Sequence, residues 1–86
     1  MTGADRVFGA REDRADIERR VARRGFRAED VRPVLTRDSG PRGAYWRRHW
    51  GIVDSQGTIC EIVWISRAGK TTITPYQARN AVLDDD

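Results

Sequence analysis

The stretch "YWRRHWGIVDSQGTICEIVWIS", Tyr45 to Ser66, holds all three Trp residues, the only His and the only Cys of an 86-residue chain, with two adjacent Arg residues before the His. His49 has an ordinary pKa of about 6.5 and so suits proton transfer near neutrality. Arg47 beside it suits phosphate oxygens. Cys60, in "TICEIV", stands where a small buried hydrophobe belongs, so packing is its expected role. One Cys and one His fall short of the four ligands of a structural zinc site; neither a metal nor another cofactor is expected. Arg48 lies between Trp46 and Trp50. Such a run could grip bases as single-strand binders do, or it could be one strand with Trp46 and Trp50 packed inward, Arg48 in cation–π contact with them, and Arg47 and His49 outward. The second reading is the expected one. For His49 the competing role is a solvated strand residue beside Glu61, its only visible orienting partner.

The elements that would position these residues can be read from spacing. "EDRADIERRVARR", Glu12 to Arg24, has acids in its first turn, Arg in its last, Ile17 and Val21 four apart and Gly25 at the C′ position, which predicts a helix. "AEDVRPVL" predicts a short second helix with Val31, Val34 and Leu35 on one side. "TRDSGPRG" reads as a loop. "DSQG" predicts a hairpin turn with Gly57 left-handed and Asp54 opposite Thr58. That register sets Ile52 against Cys60, Trp50 against Ile62, Arg48 against Trp64 and His49 against Val63. One face would then carry Trp46, Arg48, Trp50, Ile52, Cys60, Ile62 and Trp64, the core face. The other would carry Arg47, His49, Val53, Ile59, Glu61, Val63 and Ile65. "SRAGK" repeats the turn with Ser66 opposite Lys70, adding a third strand, Thr71 to Thr74. "TPYQ" predicts a C-terminal helix with Thr74 as N-cap, Pro75 at N1 and Gln77 at N3.

The expected fold is therefore α+β: two N-terminal helices, a three-stranded antiparallel β-meander and a short C-terminal helix. Residues 12–83 form the single domain, residues 1–11 a flexible N-terminus and residues 84–86 an acidic tail. A chain this short supports one core. No segment approaches 18 apolar residues and the N-terminus has no apolar h-region, so neither a membrane span nor a secretory signal is expected, and the protein reads as cytoplasmic.

Charge is uneven. Up to Trp50 there are 13 Arg against 8 acids; from Gly51 onward, 3 basic residues against 5 acids. The front half is the one that would face a polyanion.

"RRGFRAEDVRPVL", "WGIVDSQGTICEIVWIS" and "ITPYQARNA" together resemble the RelE-like toxins of bacterial toxin-antitoxin systems, the BrnT-type branch in particular, over about Arg14 to Val82. The family's first-helix His reads here as Asp16 or Ile17. The resemblance implies metal-independent endoribonuclease action on messenger RNA, neutralised by a cognate antitoxin. Such cleavage needs a base for the 2′-hydroxyl proton, cations for the phosphate and an acid for the leaving oxygen. Arg79, His49 and Arg47 are the implied catalytic residues, and Arg47, Arg48, Arg67 and Lys70 the RNA contacts. The alternative is a non-catalytic basic binding protein, either a nucleic-acid binder or a phage or mobile-element protein that inhibits a host protein. Val53, Ile59, Val63, Ile65 and Ile73, all assigned to the outer side, would call for a covering helix and a homodimer partner or antitoxin.

Overall fold

The computed structural model describes residues 6–84. Its elements are β1 (Val7–Phe8), α1 (Arg14–Arg23), a single 3-10 turn (Ala28–Asp30), β2 (Val31–Gly40), β3 (Gly43–Val53), β4 (Ile59–Ile65), β5 (Thr71–Thr74) and β6 (Val82–Leu83). All six strands join one sheet in the order β5-β4-β3-β2-β6, with β1 parallel to β3. One helix on a mostly antiparallel sheet thus replaces the expected two helices, three-strand meander and C-terminal helix.

Helix α1 forms as its spacing dictates. Ile17 and Val21 are fully buried, worth about 1.5–3 kcal/mol each. Gly25 at φ +87 ends the helix, with Gly25 N–H donating to the Ala22 carbonyl and Phe26 N–H to the Val21 carbonyl. That is the Schellman pattern, and it folds Phe26 back onto the Ile17 and Val21 cluster.

The predicted second helix is a strand. Val31, Val34 and Leu35 fit a helical stripe, but the segment pairs residue for residue with β3, from Val31 opposite Ile52 to Gly40 opposite Gly43. The ten-residue ladder outweighs the local propensity of a short segment interrupted by a proline. Pro33 fits because its carbonyl, which accepts from Asp84 N–H, is the group that the edge requires. The "TRDSGPRG" segment is the far end of this hairpin, closed by Pro41 and Arg42 alone.

Both Gly-closed turns match expectation. Asp54 N–H donates to the Thr58 carbonyl and Ser66 N–H to the Lys70 carbonyl, each at 3.0 Å, with Gly57 and Gly69 left-handed. Beyond the first turn the register departs from expectation. Val53 pairs with Ile59 but Ile52 pairs with Glu61, so Cys60 is the extra residue of a bulge. Every β4 side chain beyond it changes face: Trp50 lies opposite Val63 and Gly51 opposite Ile62. Trp46, Trp50, Ile52, Glu61, Val63 and Ile65 share the α1 side, whereas Val34, His49, Ile62 and Trp64 share the other. Cys60 is exposed, contrary to its expected burial.

Two cores result. On the α1 side, Ile17, Val21, Val31, Trp50, Ile52 and Val63 pack together with Phe26, Ile65 and Ile73. Val63 is thus buried and Ile65 partly buried on the side of the chain's own helix. On the opposite side, Val34, Ile62 and Ala78 pack with Ile59, Trp64, Ala81 and Leu83. The predicted C-terminal helix is instead a series of turns leading into β6. Thr74 Oγ1 does accept from Tyr76 N–H, but only at 3.4 Å, and Gln77 at φ +67 breaks the helical path. Leu83 then seats in the second core as β6 pairs with β2.

Within the N-terminal segment, Val7 and Phe8 pair with Trp46 and Arg47. Met1–Asp5 of the expected loose segment, and the last two residues of the expected acidic tail, lie outside the described residues. Arg11 donates to the carbonyls of His49 and Val34 and to the Asp84 carboxylate, the last at 2.7 Å. No helix among the described residues is long and apolar enough to cross a membrane.

Gly51 sits where β3 runs beneath Val34. A Cβ there would meet Val34 Cγ1 at 2.9 Å and the Glu61 carbonyl oxygen at 3.2 Å. Gly51→Ala is expected to cost about 1–3 kcal/mol by overpacking, read as a lower midpoint in urea. An unchanged midpoint would mean that the two strands separate there more easily than their contacts indicate.

Candidate nucleic-acid interface

The sheet face opposite α1 is divided. One end lies under the Ala78, Ala81 and Leu83 segment. The other carries Phe8, Tyr45, Arg47 and His49, placed by strand alternation and by the pairing of Phe8 with Arg47. Phe8 is 47% exposed and meets Tyr45 edge to face, with centroids 5.4 Å apart and planes at 83°. Arg6 lies over the Phe8 ring at 5.7 Å and donates to the Arg42 carbonyl. These side chains and Pro41 line a cavity of about 220 Å³ at the hairpin tip.

Further along the same face the His49 and Trp64 rings approach to 4.4 Å, and Trp64 meets Tyr76 at 5.9 Å. Tyr76 is itself 66% exposed. Five ring-bearing side chains in two contacting groups, Phe8 with Tyr45 and His49 with Trp64 and Tyr76, thus lie in a row across β1, β3, β4 and the turn after β5. Arginines border the row: Arg6 and Arg42 at one end, and Arg47 beside Asp38 at 3.6 Å.

His49 is not a base suited to neutral pH. Partial burial, then the charges of Arg47 and Arg11, lower its pKa to about 4, with Asp38 opposing. At pH 7 it is an uncharged ring, and its Nε2 is buried without a partner, as is Trp64 Nε1. Glu61, the orienting partner considered for His49, belongs to the α1 side.

The remaining expected site residues are dispersed. Arg48 is on the α1 side and donates to the Gly9 carbonyl at 2.8 Å, fastening the N-terminal segment. The expected cation–π pairing of Arg48 is made by others: Arg37 lies over Trp46, and Arg11 and Arg14 lie over Trp50. Arg67 and Lys70 occupy the β4–β5 turn, which Arg20 of α1 ties down through the Gly69 carbonyl. Arg79 lines a different cavity, of about 700 Å³, with Cys60, Pro75 and Leu83, where no His, Asp or Glu accompanies it. Of the implied catalytic residues, Arg47 and His49 come together and Arg79 stands apart. Cys60 there is not an activated nucleophile. Desolvation and the nearby Asp54 carboxylate raise its thiol above the usual range. No group of three or more His, Cys, Asp or Glu among the described residues could hold a metal ion.

Phe8, Tyr45 and Trp64 carry no sequence signal that marks them for this face. Arg6 and Phe8 are spaced by two just before Gly9, a strand signal too short to register. Simple alternation along "TICEIVWIS" puts Trp64 on the other face, because the pattern carries no mark of the Cys60 bulge. Compared with known proteins, the chain matches no family model, no curated protein and no solved structure.

The lowered pKa of His49 has a stability consequence. The unfolded chain, with an ordinary imidazole, binds more protons than the folded one between about pH 4 and 6.5. The neutral ring's contribution is complete above about pH 6.5, falls as pH drops through that window, and levels off below about pH 4. The loss is smaller than the full shift would give, because the ring is only partly buried and solvent screens its charge. Urea unfolding at successive pH values is expected to show this slope, and His49→Gln to flatten it. An equal slope in the variant would assign it to other groups.

Proposed function

We propose that the protein binds single-stranded nucleic acid on the sheet face opposite α1, stacking unpaired bases on its row of rings and holding phosphates with the bordering arginines. The carrying observation is the row itself: Phe8, Tyr45, His49, Trp64 and Tyr76 on one face, with Arg6, Arg42 and Arg47 along it. Exposed rings such as Phe8 and Tyr76 are costly to leave in water, and ring faces suit any base, whereas paired bases in a duplex offer no face to them. The excess of Arg in the first fifty residues supplies the long-range attraction. Messenger-RNA cleavage, which the toxin resemblance implies, would draw on Arg79, and that residue lies in a cavity apart from His49 and Arg47. Binding without cleavage is the reading better supported.

Fluorescence anisotropy with labelled single-stranded RNA and DNA tests this. Binding is expected at low salt and should weaken as salt rises. Phe8→Ala and Tyr45→Ala should each cost about 1–3 kcal/mol, and Arg47→Gln should reduce the salt slope by about 0.7. Duplex of the same sequence should bind more weakly. No binding at low salt, or binding indifferent to Phe8 and Tyr45, would contradict the proposal. RNA cleavage abolished by Arg79→Ala would return the reading to a ribonuclease.

A further inference from the structure

Strand β3 is paired by β2 along nearly its whole length, but its other edge is shared. β4 covers it only from Val53 to Trp50, and β1 takes over at Arg47 and Trp46. Arg48 and His49 fall between the two. From this point Trp64 and Ile65 pair with β5 alone. The divergence opens a cleft of about 210 Å³ whose walls include Arg47, His49, Trp64, Ile65 and Glu12.

We propose that this cleft seats one unstacked nucleobase of the bound strand and is where the protein discriminates among bases. The inference rests on the single-strand reading above. The cleft has the size class of a small planar group rather than of a folded segment, and two of its walls are the His49 and Trp64 rings, 4.4 Å apart at 56°. Its chemistry is mixed: Ile65 and the ring faces are apolar, Glu12 accepts, and the guanidinium groups donate. A phosphate suits it poorly, because Glu12 would repel the anion and Arg48 is already engaged by the Gly9 carbonyl. A base edge presents both donors and acceptors and matches such a wall.

His49 Nε2 and Trp64 Nε1 are buried without hydrogen-bond partners. Buried polar groups are normally paired, so each of these nitrogens can still take a hydrogen-bond partner. A turn of either ring toward the cleft would bring its nitrogen to the edge of a base. The uncharged state of the imidazole adds to this, since a neutral ring can donate or accept, whereas an imidazolium only donates. Arg47 lies between the cleft and the Phe8 and Tyr45 cavity, where it would meet the phosphate that joins bases held in the two seats. The seats themselves, at Tyr45 and His49, are about 13 Å apart along β3.

The test is a titration of isotope-labelled full-length protein with single-stranded homo-oligonucleotides of each base, followed by NMR. The Trp64 indole N–H is assigned with Trp64→Phe and read beside the ring signals of Phe8, Tyr45 and His49. For at least one base, Trp64 and His49 should move with the same midpoint as Phe8 and Tyr45. Trp64→Phe should weaken that oligonucleotide about five-fold or more and narrow the difference between bases. One abasic position in the strand should reproduce the loss, with no further loss when combined with Trp64→Phe. Should Trp64→Phe not fold, His49→Asn with the abasic series gives the same comparison. Movement of Phe8 and Tyr45 with Trp64 and His49 unmoved would overturn the cleft and leave the interface standing. Absence of movement anywhere would overturn both.

Discussion

The fold depends on one guanidinium. Arg11 joins parts of the chain that have few other reasons to meet: it precedes α1, donates to one carbonyl on β2 and one on β3, and closes an ion pair with Asp84 just beyond β6. Both partners of that pair are largely shielded, at 18% and 16% side-chain exposure. A shielded charge of this kind holds only if its partners are all present, and removing one costs about 3–5 kcal/mol. β1 and β6 contribute two residues each, too few to hold a strand by themselves. With Arg11 in place, the N-terminal segment lies along β3 and the C-terminal one along β2. Its charge also helps to keep His49 neutral.

The aromatic face follows from this arrangement. Phe8 reaches Tyr45 only because β1 runs parallel along β3, and Arg48 and Arg11 fix the segment on either side of Gly9 and Ala10. Tyr76 and the second core rest on the segment that ends in Asp84. Polar clamping at Gly9, Arg11 and Asp84, rather than a large core, brings the rings onto one face, as befits a chain of 86 residues with limited apolar surface to bury.

Local chemistry was legible in the sequence and long-range pairing was not. The α1 stripe, its Gly25 cap and the turns at Asp54 and Ser66 are set within a few residues, and they form as their spacing requires. Val31, Val34 and Leu35 satisfy a helical period, while Val31, Pro33 and Leu35 equally satisfy a strand; only the partner, β3, decides between them. The Cys60 bulge leaves no mark on the alternation of "TICEIVWIS", yet it exchanges the faces of Val63 and Trp64 and so divides what looked like a three-Trp core. Of the site, the outward placement of Arg47 and His49 was readable because it depends on β3 alone. Their neighbours Phe8 and Trp64 come from β1 and β4, beyond local reach.

Arg11 holds the segment before α1 and the segment ending at Asp84 to the β2–β3 hairpin, and thereby builds the aromatic face. Amide hydrogen exchange on Arg11→Met, with oligonucleotide affinity measured on the same sample, tests it most directly. The Trp46 and Asp84 amides, which donate to the Arg6 and Pro33 carbonyls, are expected to lose protection together while α1 keeps its own, and affinity to fall at least as far as in Phe8→Ala. Protection retained at both amides with affinity unchanged would contradict it.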